Sequence, residues 1–583
     1  MAPEPEHGTP RRTAARPSPP AADRGDVDVL VVGAGPTGLT AACEALRHGL
    51  TVRIVDRRPG RSGFSRALVL HARTLEVLDT MGVADRLLAE GARIAALNAG
   101  GGQGGGQGGG QRRRPGRRPA RRPARRPARR PARRPARIDL LDLPWGDTDH
   151  PFWLSVPQYA TERVLEERLG ELGGAVEWQV SFDALRARAD PADPAGPDHP
   201  VEAVLVHADG AAETVVPHRL VGCDGGRSRV RESAGLRLDR SASGATFVLA
   251  DVGTTAPLPE DEGHVLLGPE GLLLIVPVPE PGRWRIIAHL PGASADRPVT
   301  VDEPFLDELV RRRAGIGFGS HDVVWTSQFD LAHGLADRYR AGPVLLAGDA
   351  AHVHSPVGGQ GLNTGVQDAH DLLWRIAAAR RAGSARAADL LLDGYGTERR
   401  AVARAMVRGT TRATAVLTAR GAAVRGLLGA VAPVLLALPA VRARLGRDVG
   451  MLETAYPDNP PAVLAGSSGA AGRRMPDPLL RGGGRLHRLL DPLGFTWVVR
   501  GRPGEAPPDP AAPRRAGVRV VLLPDDALAE RLRLPAGTGR VLLVRPDRCV
   551  AASGATAESV RAEAVARSGL PEAVLDRIWR SPA

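Results

Sequence analysis

Three glycines and one acid carry the first chemical signal in this chain. Gly33-Ala-Gly-Pro-Thr-Gly38 follows the apolar run Val27-Asp-Val-Leu-Val-Val32 and precedes an Ala/Leu-rich stretch that ends near His48. At that spacing Gly33 permits a tight turn, Gly35 lets backbone approach a pyrophosphate, and Gly38 lets helix and strand pack closely. The start of the following helix offers unpaired N–H groups and a positive dipole end to phosphate. Asp56 closes the next apolar run and stands 23 residues after Gly33. That is close to the offset of about 20 at which an acid accepts from a ribose hydroxyl. A plain glycine-rich strand-to-helix turn would not need strand, glycines, helix, strand and acid together. The fingerprint points to a dinucleotide but does not separate FAD from NAD.

The elements that must position these residues follow from the pattern. Residues 27–56 read as a βαβ unit opening a doubly wound parallel sheet. A second strand-to-loop signal lies at 344–349, where Asp349 follows an apolar run and so emerges at the carboxyl end of the sheet, where ligands bind. The other reading of Asp349 is an N-cap, but the long glycine-rich loop separates it from the next helix start. A helical region runs from about 362 to beyond 420. Residues 201–221 and 245–329 contain several short β-like runs. A smaller α/β segment closes the chain from about 472, with strands expected at 518–523 and 541–544.

Composition removes several function classes. The 583 residues are 43% hydrophobic and 25% charged, enough for two to four domains with real cores. Gly 70 and Pro 51 are high, but a wholly disordered or fibrous chain is excluded. The net charge of +13 suggests a nucleic-acid binder until it is located. Residues 112–137 hold 14 arginines and no acid, so the rest of the chain is close to neutral. That segment, built of RRPA units, and the GGGQ repeats at 100–111 cannot bury a core. Fourteen arginines could neutralise phosphates nonspecifically, yet no aromatic is interleaved for stacking, and repeat expansion accounts for the segment better than a selected nucleic-acid role. All 78 basic residues are Arg, the mark of a very GC-rich genome. Cys43, Cys223 and Cys549 lie far apart without a CxxC or metal-ligand spacing, so disulfide scaffolds and zinc modules are excluded and a reducing cytoplasm is the expected compartment. Residues 1–26 lack the apolar core of a signal peptide. The uncharged stretch 426–441, broken by Pro433 and Pro439, is shorter than the ~20 residues of a membrane span.

Two further segments decide the cofactor. They are Arg219-Leu-Val-Gly-Cys-Asp-Gly-Gly-Arg-Ser-Arg-Val230, and residues 342–365 with the sequence GPVLLAGDAAHVHSPVGGQGLNTG. With the glycine fingerprint, these resemble the FAD-dependent aromatic-ring hydroxylases, a family of flavoprotein monooxygenases, and in particular the branch that tailors aromatic polyketides in antibiotic pathways. The resemblance covers about 27–97 and 138 to the C-terminus. It implies an α/β fold: a Rossmann-like FAD-binding domain assembled from 27–97, 138–240 and 330–425, a β-rich substrate domain at 241–329, a helical linker at 426–471, and a thioredoxin-like α/β domain at 472–583 without CxxC. Residues 1–26 would be a disordered tail and 98–137 a low-complexity insert.

Carried over by position, the resemblance gives Gly33, Gly35, Gly38 and Asp56 to the ADP half of FAD. It places Arg66 near the pyrophosphate, Gln158 near the ribityl chain, and Asp224 where FAD and pyridine nucleotide binding are both supported. Asp349 would grip a ribityl hydroxyl, and Pro356, Gly361, Leu362 and Asn363 would belong to a loop beside the isoalloxazine. A helix start there favours the negative charge of reduced flavin. The implied activity is NAD(P)H-consuming hydroxylation of a polycyclic aromatic polyketide by molecular oxygen through a flavin C4a-hydroperoxide. Baeyer–Villiger oxygen insertion on the same scaffold is the alternative within enzymes, and nucleic-acid binding through the arginine insert is the alternative outside them. The absence of a Trp-x-Trp-x-Ile-Pro segment argues against a halogenase. No metal, membrane or specific nucleic-acid partner is expected, and the chain should be a monomer or homodimer. No catalytic nucleophile system is evident, since orientation and exclusion of water are the protein's part. His352 and His354 are expected to be structural and Cys549 a plain thiol; substrate-lining residues should come from the β-rich middle, with Phe247, Trp284 or Phe329 as candidates, any one of which is more readily core than pocket. His370 and Arg375 stand where relatives usually show Asn and Lys, and are expected at the helix exterior or in packing within the flavin domain.

Overall fold

The computed structural model describes residues 27–63, 65–101, 136–186, 201–268, 270–294, 297–354, 358–417, 438–456, 471–480, 483–500, 518–523, 541–554, 557–568 and 570–579. The N-terminal tail, Pro356, most of the insert and much of the linker lie outside them.

The strand Val29–Val32 is buried along its whole length, as expected of a continuous apolar run in a sheet covered on both faces. It pairs in parallel with Val52–Asp56 on one side and Arg219–Gly222 on the other. Val176–Trp178 extends the sheet beyond Val52–Asp56, Val344–Leu346 extends it beyond Arg219–Gly222, and the short antiparallel strand Arg340–Ala341 closes that edge. Helix Pro36–Arg47 packs against helices Gln158–Glu171 and Gln360–Ala382, and their apolar residues join those of the sheet in one core.

An eight-stranded sheet forms the second unit. Its order is His352–Val353, Ser320–Ala336, Leu238–Thr254, Arg283–Leu290, Gly271–Pro277, Glu262–Gly268, Ala96–Gly101 and Ala136–Asp139. This sheet is wider than the 241–329 read from sequence. Its two longest strands run beyond both limits, and Ala96–Gly101 and Ala136–Asp139 pair with one another, Ala99 opposite Ala136. The chain therefore leaves the sheet at Gly101 and returns to it at Ala136 on paired antiparallel strands. Glycine carries no side-chain alternation, which is why this strand reads as linker in the sequence.

Strand alternation gives the sheet two distinct faces. Val248, Ala250, Val252, Leu273, Ile275, Trp284, Ile286 and Ala288 are packed with Leu306 and Val310 of helix Glu303–Ala314. Ala245, Phe247, Leu272 and Leu331, with Phe329 and Ile287 against them, form the opposite apolar face. Trp284 therefore belongs to the helix-covered core, whereas Phe247 and Phe329 stack on the other face with centroids 6.4 Å apart.

A four-stranded sheet, ordered Arg519–Leu523, Thr496–Arg500, Val541–Val544 and Val550–Gly554, makes up the C-terminal unit with helices Ala557–Ser568 and Glu572–Trp579. Phe495 and Trp579 bring it against Trp374 of the long helix. Beside this contact Arg375, fully buried, donates through Nε to Asp371 at 3.1 Å, through Nη1 to the Leu391 carbonyl at 3.2 Å and through Nη2 to Glu398 at 2.5 Å. Arg545 of the C-terminal unit donates to Asp371, Glu398 and Asp547. Charges this deep are tolerated only when fully paired, and the guanidinium fork makes three contacts that a lysine could not. His370 is also buried, with Nδ1 3.0 Å from Glu44 Oε1. Both departures from the family pattern thus lie in packing, not on the exterior. Among the described residues no helix is long and apolar enough to cross a membrane.

Candidate functional site

The glycine fingerprint closes at the carboxyl end of the parallel sheet. Gly33 has φ +105°, and a Cβ there would lie 2.5 Å from the Cys223 carbonyl oxygen. A Cβ on Gly38 would fall 1.8 Å from the Gly33 carbonyl oxygen. Gly35 is different: a Cβ there meets nothing within 4 Å. Two of the glycines are required by the protein itself, and the third fronts open space where a ligand would pass. Helix Pro36–Arg47 begins at Gly35 without a side-chain cap, so its first amides are not taken up by a capping side chain.

Thr37, inside the fingerprint, locks the rest of the site to this turn. A Cβ at Gly348 would come within 2.7 Å of Thr37 Oγ1, and one at Gly365 within 2.2 Å. The turn carrying Asp349 and the start of the long helix are therefore drawn onto the glycine loop. Asp349 itself stays open to solvent. Burial nevertheless raises its carboxyl pKa, with His352 and Arg66 opposing the rise. Water reaches this acid, yet enough protein lies around it to oppose its charge. Asp224, whose backbone Gly33 crowds, has the same character. Oδ2 accepts from the Val230 amide at 3.2 Å, while Oδ1 is buried with no partner, and burial raises the carboxyl.

Asp56 faces the fingerprint directly. Its Oδ2 accepts from the Ala34 amide at 2.7 Å, and Arg58 donates to both carboxylate oxygens from 3.1 Å. Arg66 is exposed, and its charge reaches Asp349. Gln158, first residue of its helix, accepts from the Ala67 amide at 3.2 Å, and its own backbone N–H donates to Ser65 Oγ at 2.7 Å. It holds the arginine loop in place. Gly361 lies against His354, and Leu362 is half-buried. Asn363 is fully buried, its amide donating to the Val69 and Gly359 carbonyls at 2.8 and 2.7 Å and accepting from the His71 amide at 2.9 Å. Its side chain is committed to protein backbone, so it shapes the loop and does not reach across the cleft. Helix Gln360–Ala382 starts at Gly359, in the left-handed region, again without a side-chain cap.

Several supporting residues escaped the sequence reading. Under the Asp349 turn, the buried Asp368 accepts from the Gly348 amide at 3.1 Å and from Arg399 at 2.7 Å, and lies 2.6 Å from His352 Nε2. Burial would raise this carboxyl, but Arg399 and His352 outweigh it and hold it below its ordinary value. His352 is accordingly a structural histidine. On the eight-stranded sheet, Arg285 is fully buried, grips Asp251 with two bonds of 2.7 and 2.6 Å, and donates to the Arg66 carbonyl at 3.3 Å. Arg285 shares its sheet face with Ile287 and the buried Phe247 cluster, so that face lies beside the Arg66 loop. Only the Asp-Arg-Arg run at 56–58 carried a local signal; the other pairs join residues far apart in sequence.

The geometry suits FAD on its own evidence: open space at Gly35, two helix starts without side-chain caps, and an orphaned acid oxygen at Asp224. A family model described as an FAD binding domain matches residues 26–410. The 6-methylpretetramide 4-monooxygenase of Streptomyces rimosus is 34% identical over 566 residues, 92% of each chain. An aromatic hydroxylase from angucycline biosynthesis superposes with a TM-score of 0.68 at 29% identity, covering 92% of this chain and 99% of that one. Aklavinone-11 hydroxylase, solved with FAD and aklavinone, gives 0.69 at 25% identity, covering 95% and 99%. Fingerprint, cleft and relatives agree, and the chain belongs to the FAD-dependent aromatic hydroxylases, a family of flavoprotein monooxygenases.

Proposed function

We propose that this monooxygenase hydroxylates a polycyclic aromatic polyketide, with NAD(P)H as the electron donor. The observation that carries the reading is the apolar sheet face around the buried Phe247, Leu272 and Leu331, with half-buried Phe329 and Ile287 at its surface, which Arg285 ties to the Arg66 loop beside Asp349. A flat, fused-ring molecule is the natural complement to such a wall, and the relatives named for tetracycline, angucycline and aklavinone chemistry support the class. FAD, when bound, supplies the two-electron reservoir that NAD(P)H fills and the place where dioxygen is activated. The chain's part is positioning. Gly33, Gly35 and Gly38 give the pyrophosphate its path, with Asp56 at the adenosine end. Asp349 accepts from a hydroxyl of the cofactor, and Arg66 balances nearby negative charge. The start of helix Gln360–Ala382 favours a negative ring by roughly 0.3–1 kcal/mol. The apolar wall keeps water from the reacting ring.

The net change is one ring C–H converted to C–OH, one oxygen atom reduced to water, and NAD(P)H oxidised. Incubation of the holoprotein with NADPH, labelled dioxygen and tetracyclic phenols should give substrate-dependent NADPH consumption and a product one labelled oxygen heavier. A ring-expanded lactone would assign oxygen insertion to the enzyme in place of hydroxylation. NADPH oxidation that no aromatic polyketide stimulates would overturn the substrate class.

A further inference from the structure

We propose that His71 is a positioning residue for the cofactor site, clamping the glycine loop at Gly358 to the end of helix Pro439–Val449. The proposal rests on the loop serving bound FAD. His71 precedes helix Ala72–Thr80 and is fully buried. Its Nδ1 lies 2.5 Å from the Val449 carbonyl oxygen and its Nε2 3.0 Å from that of Gly358. Its backbone N–H donates to Asn363 at the start of the flavin-side helix. Trp153 meets the ring at 5.2 Å, edge to face, and donates to the same Val449 carbonyl at 2.7 Å. Gly358 and Gly359 are both in the left-handed region, at φ +88° and +63°.

The two ring contacts compete for protons. Both partners are carbonyls, which only accept, and a neutral imidazole owns one N–H. The shorter contact assigns that proton to Nδ1 and Val449, leaving Nε2 facing Gly358 without a hydrogen between them. A second proton completes the clamp. Burial opposes it and lowers the His71 pKa, while the carbonyls of Val449, Gly358 and Gly359 favour it. The charged residues nearest on the packed elements are engaged elsewhere: Arg73 with Glu76, Arg447 with Glu453, and Asp448 with Arg444. The Gly358 carbonyl is thus held most firmly when the ring is an imidazolium. By linkage, whatever needs the loop in this position binds the protonated form more tightly.

FAD dissociation constants for wild type, His71→Phe and His71→Gln, titrated into apoprotein from about pH 5 to about pH 8 across the ordinary histidine range, test this. Phe keeps the ring against Trp153 but donates nothing, and should weaken FAD about tenfold, the scale of one lost hydrogen bond. The deficit should widen as pH falls below the ordinary histidine value. Gln brings two N–H donors at every pH, so it should retain most of the affinity and show none of the widening. If Phe destabilises the apoprotein too far to measure, the wild-type-to-Gln ratio still reports the proton. Equal affinity of all three at every pH, or parallel losses in Phe and Gln that only track apoprotein melting, would overturn the clamp. Failure of wild type to bind FAD would instead overturn the flavoprotein reading.

Discussion

Helices Pro36–Arg47 and Glu303–Ala314 are each 12 residues long and each carries proline in its first turn, yet they begin in opposite ways. Asp302 caps the second, its carboxylate accepting from the Phe305 amide at 2.9 Å, and Glu303 adds an acid to the first turn. The first starts from Gly35, with no side-chain cap and no acid. The same orphan amides that one helix satisfies internally are left without a capping side chain by the other, beside the open space at Gly35. The lesson is that a missing cap beside open space is as informative as a motif. The eight-stranded sheet uses its helix to close a core; the parallel sheet leaves the start of its helix open.

Breaking the open end should have the largest effect. Gly35→Val places a branched side chain in space the protein does not fill, so the apoprotein should fold with an unchanged circular dichroism spectrum. FAD affinity should drop by roughly 100-fold or more, about 2.7 kcal/mol. A variant that binds FAD normally would show that the pyrophosphate does not pass Gly35.

Asp349→Ala should be next. Loss of a charged hydrogen bond of roughly 1.5–3 kcal/mol predicts FAD binding weaker by about one to two orders of magnitude in fluorescence titration. The sign with pH follows from the raised pKa: wild-type affinity should be full above that value and fall as pH drops through it. Asp349→Asn should remove that contribution, and an unchanged pH profile in Asn would refute the role.

The capped helix sharpens the contrast. Asp302→Ala should cost about 1 kcal/mol of stability, as lost caps do, visible as a lower melting temperature, with FAD affinity untouched. A fall in FAD affinity would mean that the two helix starts are not functionally separate.

The mildest effect is expected from removing residues 102–135 and joining Gly101 to Ala136 by a short glycine turn. FAD content and turnover should stay within about a factor of two, since loop length costs little. Retention on heparin at low salt should fall sharply with the lost arginines. Unaltered heparin retention would place the polyanion-binding face elsewhere.

What the sequence made legible was whatever is local. The strand at 29–32, the three glycines, Asp56 and the Asp349 turn all declare themselves within a few residues, and the structure gathers them around one cleft. Asp251 and Arg285, or Asp368 and Arg399, pair across 34 and 31 positions, and no periodicity marks such partners. The faces of the substrate sheet were equally hidden. Phe247 and Trp284 read alike as aromatics in β-runs, and only the position of helix Glu303–Ala314 separates the two buried clusters, Trp284 under the helix and Phe247 on the opposite face. Asn363 was found by motif, but its commitment to backbone carbonyls needed coordinates.

The two longest strands have a further consequence. Leu238–Thr254 and Ser320–Ala336 begin and end together, Leu238 opposite Ala336, with Arg237 and Asp337 exchanging hydrogen bonds of 3.0 and 2.9 Å just outside. Five strands of the eight-stranded sheet therefore enter and leave the chain at a single doorway, as a cassette. Exchange between relatives can be made there with two cuts and no new loop. A graft would trade the apolar sheet face, provided that the recipient supplies matching edges for Glu262–Gly268 to pair with Ala96–Gly101 and for Ser320–Ala336 to pair with His352–Val353, and an Arg66 carbonyl for Arg285.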